Sequence, residues 1–260
     1  PHGGNAWYRT TTRATGEPAA IRVRQVDDRL EWESTIDAEP VLRRRLRLDD
    51  DLAAIRAQVP DDDLIGTAFE AYPGMRVVRD PPFGALISFI CSAQMRVSRI
   101  HAMQQSLRET FGTPIAFDGE TVSAYPTPDQ LAAASEQQLR DLSLGYRAPY
   151  VQETAAMVAD GDHPGETRGE TYEDAREALT RYVGVGQKVA DCVLLFSLDY
   201  LEAVPLDTWI RTTIAEYYPD CERDSYAATS RAIRDRLGGA YAGYTQTYIF
   251  HYLRHREASE

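Results

Sequence analysis

Residues 181–192 read Arg181-Tyr182-Val183-Gly184-Val185-Gly186-Gln187-Lys188-Val189-Ala190-Asp191-Cys192. The segments on either side, Tyr172 to Arg181 and Gln187 to Leu198, carry apolar residues at helical spacing. One helix is therefore expected to stop at a glycine and a second to start two residues later. Gly184 and Gly186 permit positive φ and close approach, so backbone N–H groups at the start of the second helix can hold a phosphate without any cationic side chain. A bare Gly-x-Gly is more often a tight turn between two helices, and the surrounding sequence has to decide.

The first piece of context is Lys188 itself. Of the 28 cationic residues it is the one lysine, the rest being arginine. Arginine stays protonated, whereas a desolvated lysine can lose its proton, act as a nucleophile and form a Schiff base. The bland alternative is a lysine that survived by chance at a solvated site. The second piece is Val204-Pro205-Leu206-Asp207-Thr208-Trp209, in which Asp207 is placed as a helix N-cap. From Lys188 to Leu198 a helix rises ~15 Å, and the next nine residues span up to ~30 Å, enough to return. Lys188 and Asp207 can therefore meet.

Outward from this stretch the chain is mainly helical. Residues Ala6 to Ser34 alternate polar with apolar side chains and read as short antiparallel strands, with turns at Gly16-Glu17-Pro18 and Asp27-Asp28. From about Pro40 the period becomes helical. The expected fold class is mainly α (α+β), with a small N-terminal antiparallel β region. The expected division is a β-rich region over 1–62 leading into the first helix, then a helical body over 63–260 with its hairpin at about 172–198.

Composition narrows the function. The 260 residues leave room for one large or two small domains, and no run of 18 uncharged apolar residues offers a membrane span. Cys91, Cys192 and Cys221 are widely spaced and form no Cys-x-x-Cys or Cys/His set, so neither metal nor iron–sulfur cluster is expected. A reduced, cytoplasmic protein without an export leader is the expectation. The chain begins at Pro1, and a lost native N-terminal segment is expected. The formal net charge of −12 taken alone speaks against nucleic acid. Acidic runs such as Asp49 to Asp51 and Asp61 to Asp63, with arginine in place of lysine, instead look like the surface bias of an extreme halophile. A solvated acidic surface of that kind says little about partners.

Taken together, the hairpin, the lysine and the downstream aspartate resemble the helix-hairpin-helix DNA glycosylase superfamily, and within it the 8-oxoguanine DNA glycosylase branch. The resemblance extends to Phe89-Ile90-Cys91-Ser92, Arg99-Ile100, Leu144-Gly145-Tyr146-Arg147-Ala148 and Tyr241-Ala242-Gly243-Tyr244-Thr245-Gln246 with Phe250. It covers about residues 75 to 252. It implies the helix-hairpin-helix glycosylase fold, with the N-terminal β region as a truncated TBP-like subdomain.

By this resemblance the protein is a base-excision repair glycosylase with AP lyase activity. Lys188 attacks C1′ of the damaged nucleotide, displacing the base and leaving an imine, and Asp207 supplies the opposing charge. No cofactor is implied. The partner is duplex DNA holding a damaged purine opposite cytosine, met in the cytoplasm at the nucleoid by a monomer. The target nucleotide is flipped from the stack. Tyr146 matches the intercalating aromatic, Gln94 stands where the family inserts asparagine, and Arg99 and Arg147 match groups that contact the orphaned cytosine. Cys192 and Phe250 match the pair that sandwiches the purine, Gln246 the amide that reads its edge, and Pro205 joins them at the base pocket. Gly184, Val185 and Gly186 hold backbone phosphates, and Trp209 is placed with the DNA contacts where close relatives often carry histidine. The family's N-terminal segment, whose backbone carbonyl distinguishes 8-oxoguanine from guanine, has no match here.

Two other functions compete. A monofunctional remover of alkylated purines, of the 3-methyladenine type, shares the hairpin and the aspartate but lacks the lysine. A non-catalytic DNA-binding hairpin explains Gly184 and Gly186 but gives Asp207, Gln246 and Phe250 no purpose. The endonuclease III branch is disfavoured by the missing cysteine cluster.

Overall fold

The N-terminal alternation folds as a meander. In the computed structural model, which describes residues 6–257, β1 (Tyr8–Thr15), β2 (Glu17–Val26) and β3 (Arg29–Ser34) form an antiparallel sheet in sequence order. Residues 1–5 and 258–260 of the expected domains lie outside the described residues. The turns fall where expected: Gly16 (φ 91°) and Asp27 (φ 52°) take the left-handed backbone that glycine and aspartate tolerate.

The rest is helical apart from one hairpin. The elements are α1 (Glu39–Arg45), α2 (Leu52–Gln58), α3 (Asp63–Ala71), α4 (Pro82–Cys91) and α5 (Val97–Phe111). After β4 (Pro114–Phe117) and β5 (Glu120–Ser123) come α6 (Pro128–Ala132), α7 (Glu136–Asp141) and α8 (Ala148–Ala159). The chain closes with α9 (Tyr172–Leu179), α10 (Gln187–Ser197), α11 (Thr208–Tyr217), α12 (Tyr226–Arg236) and α13 (Ala242–Glu257). Side-chain caps fix many of the starts. Thr127 and Ser135 each form a reciprocal capping box, with Gln130 and Gln138, and Asp62, Thr171 and Ser225 cap α3, α9 and α12. Among the described residues, no helix is long and apolar enough to cross a membrane.

The fold divides into two units, each assembled from two stretches of chain. One takes the chain up to Arg45 together with Ile90–Asp162, and the other takes Leu46–Phe89 with the chain from His163 onward. Periodicity reports local structure and carries no information on which distant segments pack together.

In the first unit the hairpin β4–β5 turns on Asp118 (φ 54°) and Gly119 (φ 74°), the pair of left-handed residues that a two-residue hairpin requires. Arg22 on β2 ties it to the sheet by bonding Glu33 at 2.5 Å and also Asp118, and Ile115 packs with Ala20 and Ala124. In the second unit α10 is the core helix, with Val189, Ala190 and Cys192 to Leu195 all buried. Its C-terminal end is held by Asp199, which Arg47 and Arg79 each bond at 2.5 Å. Helix α13 lies against α3, where Phe69 stacks on Tyr248 with centroids 3.9 Å apart.

Candidate active site

The hairpin begins with an early helix stop. Helix α9 ends at Leu179 rather than Arg181, because the Thr180, Arg181 and Tyr182 amides turn back onto carbonyls three residues earlier. Val185 N–H then donates to the Tyr182 carbonyl at 3.1 Å. Gly184 takes positive φ, 79°, as the turn requires. Gly186 does not: at φ −94° and ψ 178° it is extended and serves as the N-cap of α10. Among the described residues beyond its own chain neighbours, a Cβ added there would meet no atom within 4 Å. The fold itself has no need of glycine at 186, so what the missing side chain provides is open space before the first turn of α10. Gly186 brings no side chain to cap those first amides.

Lys188 lies half-buried in that first turn, and Cys192, one turn on, is buried. Burial pushes the Cys192 thiol up to about 12. Lys188 pulls against this through its charge and a hydrogen bond, while the carboxylates of Asp191 and Asp207 push with it. Amine, thiol and Asp207 carboxylate therefore share one electrostatic neighbourhood. Asp207 caps α11 as expected, its Oδ1 accepting from the Ile210 amide at 2.8 Å. The approach to it is buried through Val204, Pro205 and Leu206, and the Asp207 amide donates to the Pro205 carbonyl at 3.0 Å.

Helix α13 reaches the same core through a glycine. A Cβ at Gly243 would run into Leu195 and would stand 2.6 Å from the Ala203 carbonyl and 2.8 Å from that of Leu201. Leu195 lies on the face of α10 that carries Lys188 and Cys192, at i+3 from the cysteine. Gln246 and Phe250 follow Gly243 at three and seven residues, on the same face of α13. Gln246 is buried, 8% exposed, and Phe250 meets Trp209 edge to face with centroids 4.9 Å apart. A cleft of about 210 Å³ opens beside this pair, lined by Trp209, Thr213 and Leu253 among others. A larger one of about 700 Å³ lies over Arg223, Arg231 and Arg236 on the α12 side. Neither is lined by Lys188 or Cys192.

Four of the residues singled out from the sequence sit in the first unit. Tyr146 is 50% exposed on the turn before α8, and the Arg147 guanidinium lies 4.3 Å from the centre of its ring. Arg147 is itself buried, 4% exposed, and donates to the Ala93 carbonyl. That bond brings the Tyr146 turn to the loop of Gln94, an exposed residue at φ 54°. Arg99 is exposed in the first turn of α5.

Sequence reasoning missed Asp191. It is fully buried, and burial pushes its carboxyl up to about 6 against hydrogen bonds from Tyr172 and Tyr226, each 2.6 Å long. The signal was present: a lone acid inside the apolar run Val189 to Phe196 has to be paired.

A family model for HhH-GPD superfamily base excision DNA repair proteins matches residues 87–238, and the chain belongs to that superfamily. A probable N-glycosylase/DNA lyase of Methanothermobacter thermautotrophicus is 32% identical over 214 residues, which cover 75% of this chain and 68% of that protein. The N-glycosylase/DNA lyase of Saccharomyces cerevisiae is 39% identical over 150 residues, 53% of this chain and 40% of the yeast protein. Among solved structures, the 8-oxoguanine glycosylase/lyase of Clostridium acetobutylicum, bound to double-stranded DNA with cytosine opposite 8-oxoguanine, superposes with a TM-score of 0.82. It is 25% identical, and the match covers 98% of this chain and 89% of that one.

Proposed function

We propose that this chain is a bifunctional DNA glycosylase/AP lyase of base-excision repair that removes oxidised guanine, 8-oxoguanine, opposite cytosine in duplex DNA. The observation that carries the reading is the placement of the one lysine. Lys188 stands at the open N-terminal turn of α10, bonded to the Cys192 thiol, in a neighbourhood that includes the Asp207 carboxylate. Such an amine, once neutral, attacks C1′ as the bond from C1′ to the base breaks and the base leaves with its electron pair. Opening of the sugar ring gives an imine on Nζ. Loss of a C2′ proton then expels the 3′ phosphate, the lyase step. Asp207 stabilises the positive charge that develops on the sugar while its Oδ1 keeps the carboxylate fixed.

Other residues take roles that fit their setting. Gly186 leaves the first amides of α10 open to a backbone phosphate, which lets a chain of net charge −12 hold DNA through dipoles. Phe250 and Cys192 flank the everted base and Gln246 reads its edge. The exposed Tyr146, backed by the buried Arg147, and the exposed Gln94 fill the gap, and the exposed Arg99 meets the orphaned cytosine. Close relatives named as N-glycosylase/DNA lyases support this assignment over an alkylpurine glycosylase.

The test is a panel of duplexes bearing 8-oxoguanine opposite each normal base, or an alkylated purine, assayed over a range of salt. Strand cleavage at 8-oxoguanine opposite cytosine is expected. Release of the alkylated purine without cleavage, and none from 8-oxoguanine, would overturn the assignment.

A further inference from the structure

Lys188 and Asp207 sit on separate elements, and a partly buried chain of hydrogen bonds joins those elements. Asp191 follows Lys188 by one turn of α10. Its Oδ2 accepts from the Tyr226 hydroxyl at 2.6 Å, and that hydroxyl oxygen in turn accepts from the amide of Leu206 at 3.1 Å. Leu206 is the residue before Asp207. The other carboxylate oxygen, Oδ1, is occupied by Tyr172 at 2.6 Å. Tyr172 is held from behind by Arg176, which donates to its hydroxyl at 3.2 Å, and by Arg234, 3.9 Å over its ring.

We infer that Tyr226, oriented by Asp191, is a positioning residue that sets the Leu206–Asp207 peptide against the first turn of α10 and so places the Asp207 carboxylate with respect to Lys188. This rests on the proposed roles of Lys188 and Asp207. Three observations carry it. The hydroxyl both donates and accepts, which a neighbouring phenylalanine could not do. The carboxylate it answers is fully buried, where an apolar side chain would pack at lower cost. The two ends of the hydrogen-bond chain, Asp191 and Leu206, lie one helical turn from Lys188 and one residue from Asp207, the pair that the proposed reaction needs in fixed geometry.

The test compares Tyr226→Phe with Tyr172→Phe in the full chain. Both remove a hydroxyl from the same carboxylate, but the first alone breaks the link to Leu206. Tyr226→Phe is expected to lower the single-turnover excision rate about tenfold or more while leaving duplex affinity within about twofold. Tyr172→Phe is expected to keep the rate. Because Lys188 is the one lysine, selective ¹³Cε labelling of lysine reports its surroundings without reference to activity. Its resonance is expected to move in Tyr226→Phe in the direction seen in Asp207→Asn, and to stay in place in Tyr172→Phe.

A Tyr226→Phe variant with an unmoved lysine resonance and a rate within about twofold of the parent overturns the inference. So do equal rate losses in the two variants that track their melting temperatures. If the parent itself excises nothing, the proposed function fails, and the resonance alone decides on the strut.

Discussion

The Asp207 carboxylate accepts the Ile210 amide through Oδ1, 2.8 Å away, so the residue proposed to stabilise charge on the sugar is also the N-cap of α11. The two roles separate by substitution. Asparagine caps as well as aspartate, whereas alanine loses about 1 kcal/mol. Asp207→Asn is expected to melt with the parent and bind duplex as tightly, yet lose about a hundredfold or more in single-turnover rate. Asp207→Ala is expected to lose both. Parental rates in Asp207→Asn would reduce the residue to a cap.

The glycines at 186 and 243 make opposite predictions for one substitution. Gly186→Ala adds a Cβ to extended backbone that, among the described residues beyond its chain neighbours, meets no atom within 4 Å, so the melting temperature should hold. Duplex affinity is expected to fall about tenfold, because the methyl stands where a phosphate approaches the α10 amides. Gly243→Ala forces a Cβ to within 2.6 Å of the Ala203 carbonyl and is expected to cost about 1–3 kcal/mol of stability. Melting curves with filter binding separate the two. Equal loss of stability in both variants would contradict the reading of Gly186.

A pH prediction follows from the end of α10. Burial pushes the Asp199 carboxyl up, but the Arg79 hydrogen bond and the charges of Arg47, Arg79 and Arg168 outweigh it and leave it below its ordinary value. A lowered carboxyl stabilises the fold above the unfolded pKa of about 4, and that stability is lost as pH falls through the lowered value. Asp199→Asn keeps a residue suited to the left-handed φ of 74°. The variant should melt below the parent at pH 7, with the gap closing towards pH 3. A gap independent of pH would show that the charge does not matter.

The thiols should be inert. Burial pushes Cys91 and Cys192 each to about 12, and Cys221 is raised as well. Native protein at pH 8 should resist iodoacetamide over hours, and denatured protein should take three labels, counted by mass. Rapid native labelling of Cys192 would place it in an open site.

Much of this architecture could be read from residue patterns, and the gaps have physical causes. The meander announced itself because period-two alternation and turn residues are local signals, and the helix expected over Gln187 to Leu198 runs from Gln187 to Ser197, as its apolar spacing predicted. The hairpin β4–β5 was missed although Asp118-Gly119 is a strong turn signal, since its strands are only four residues long. Gly186 was expected to share the freedom of Gly184, but a sequence does not say which of two glycines takes positive φ. The pairing of Asp191 with Tyr226, 35 residues on, and the assembly of each unit from two stretches are tertiary relations that no periodicity carries.

The most direct measurement is borohydride trapping on duplex DNA holding 8-oxoguanine opposite cytosine. Reduction of the imine should leave a covalent complex whose DNA is attached, on peptide mapping by mass spectrometry, at Lys188, and Lys188→Gln should give none. A complex formed equally well by Lys188→Gln, or base release by the parent with no trapped species, would contradict the account.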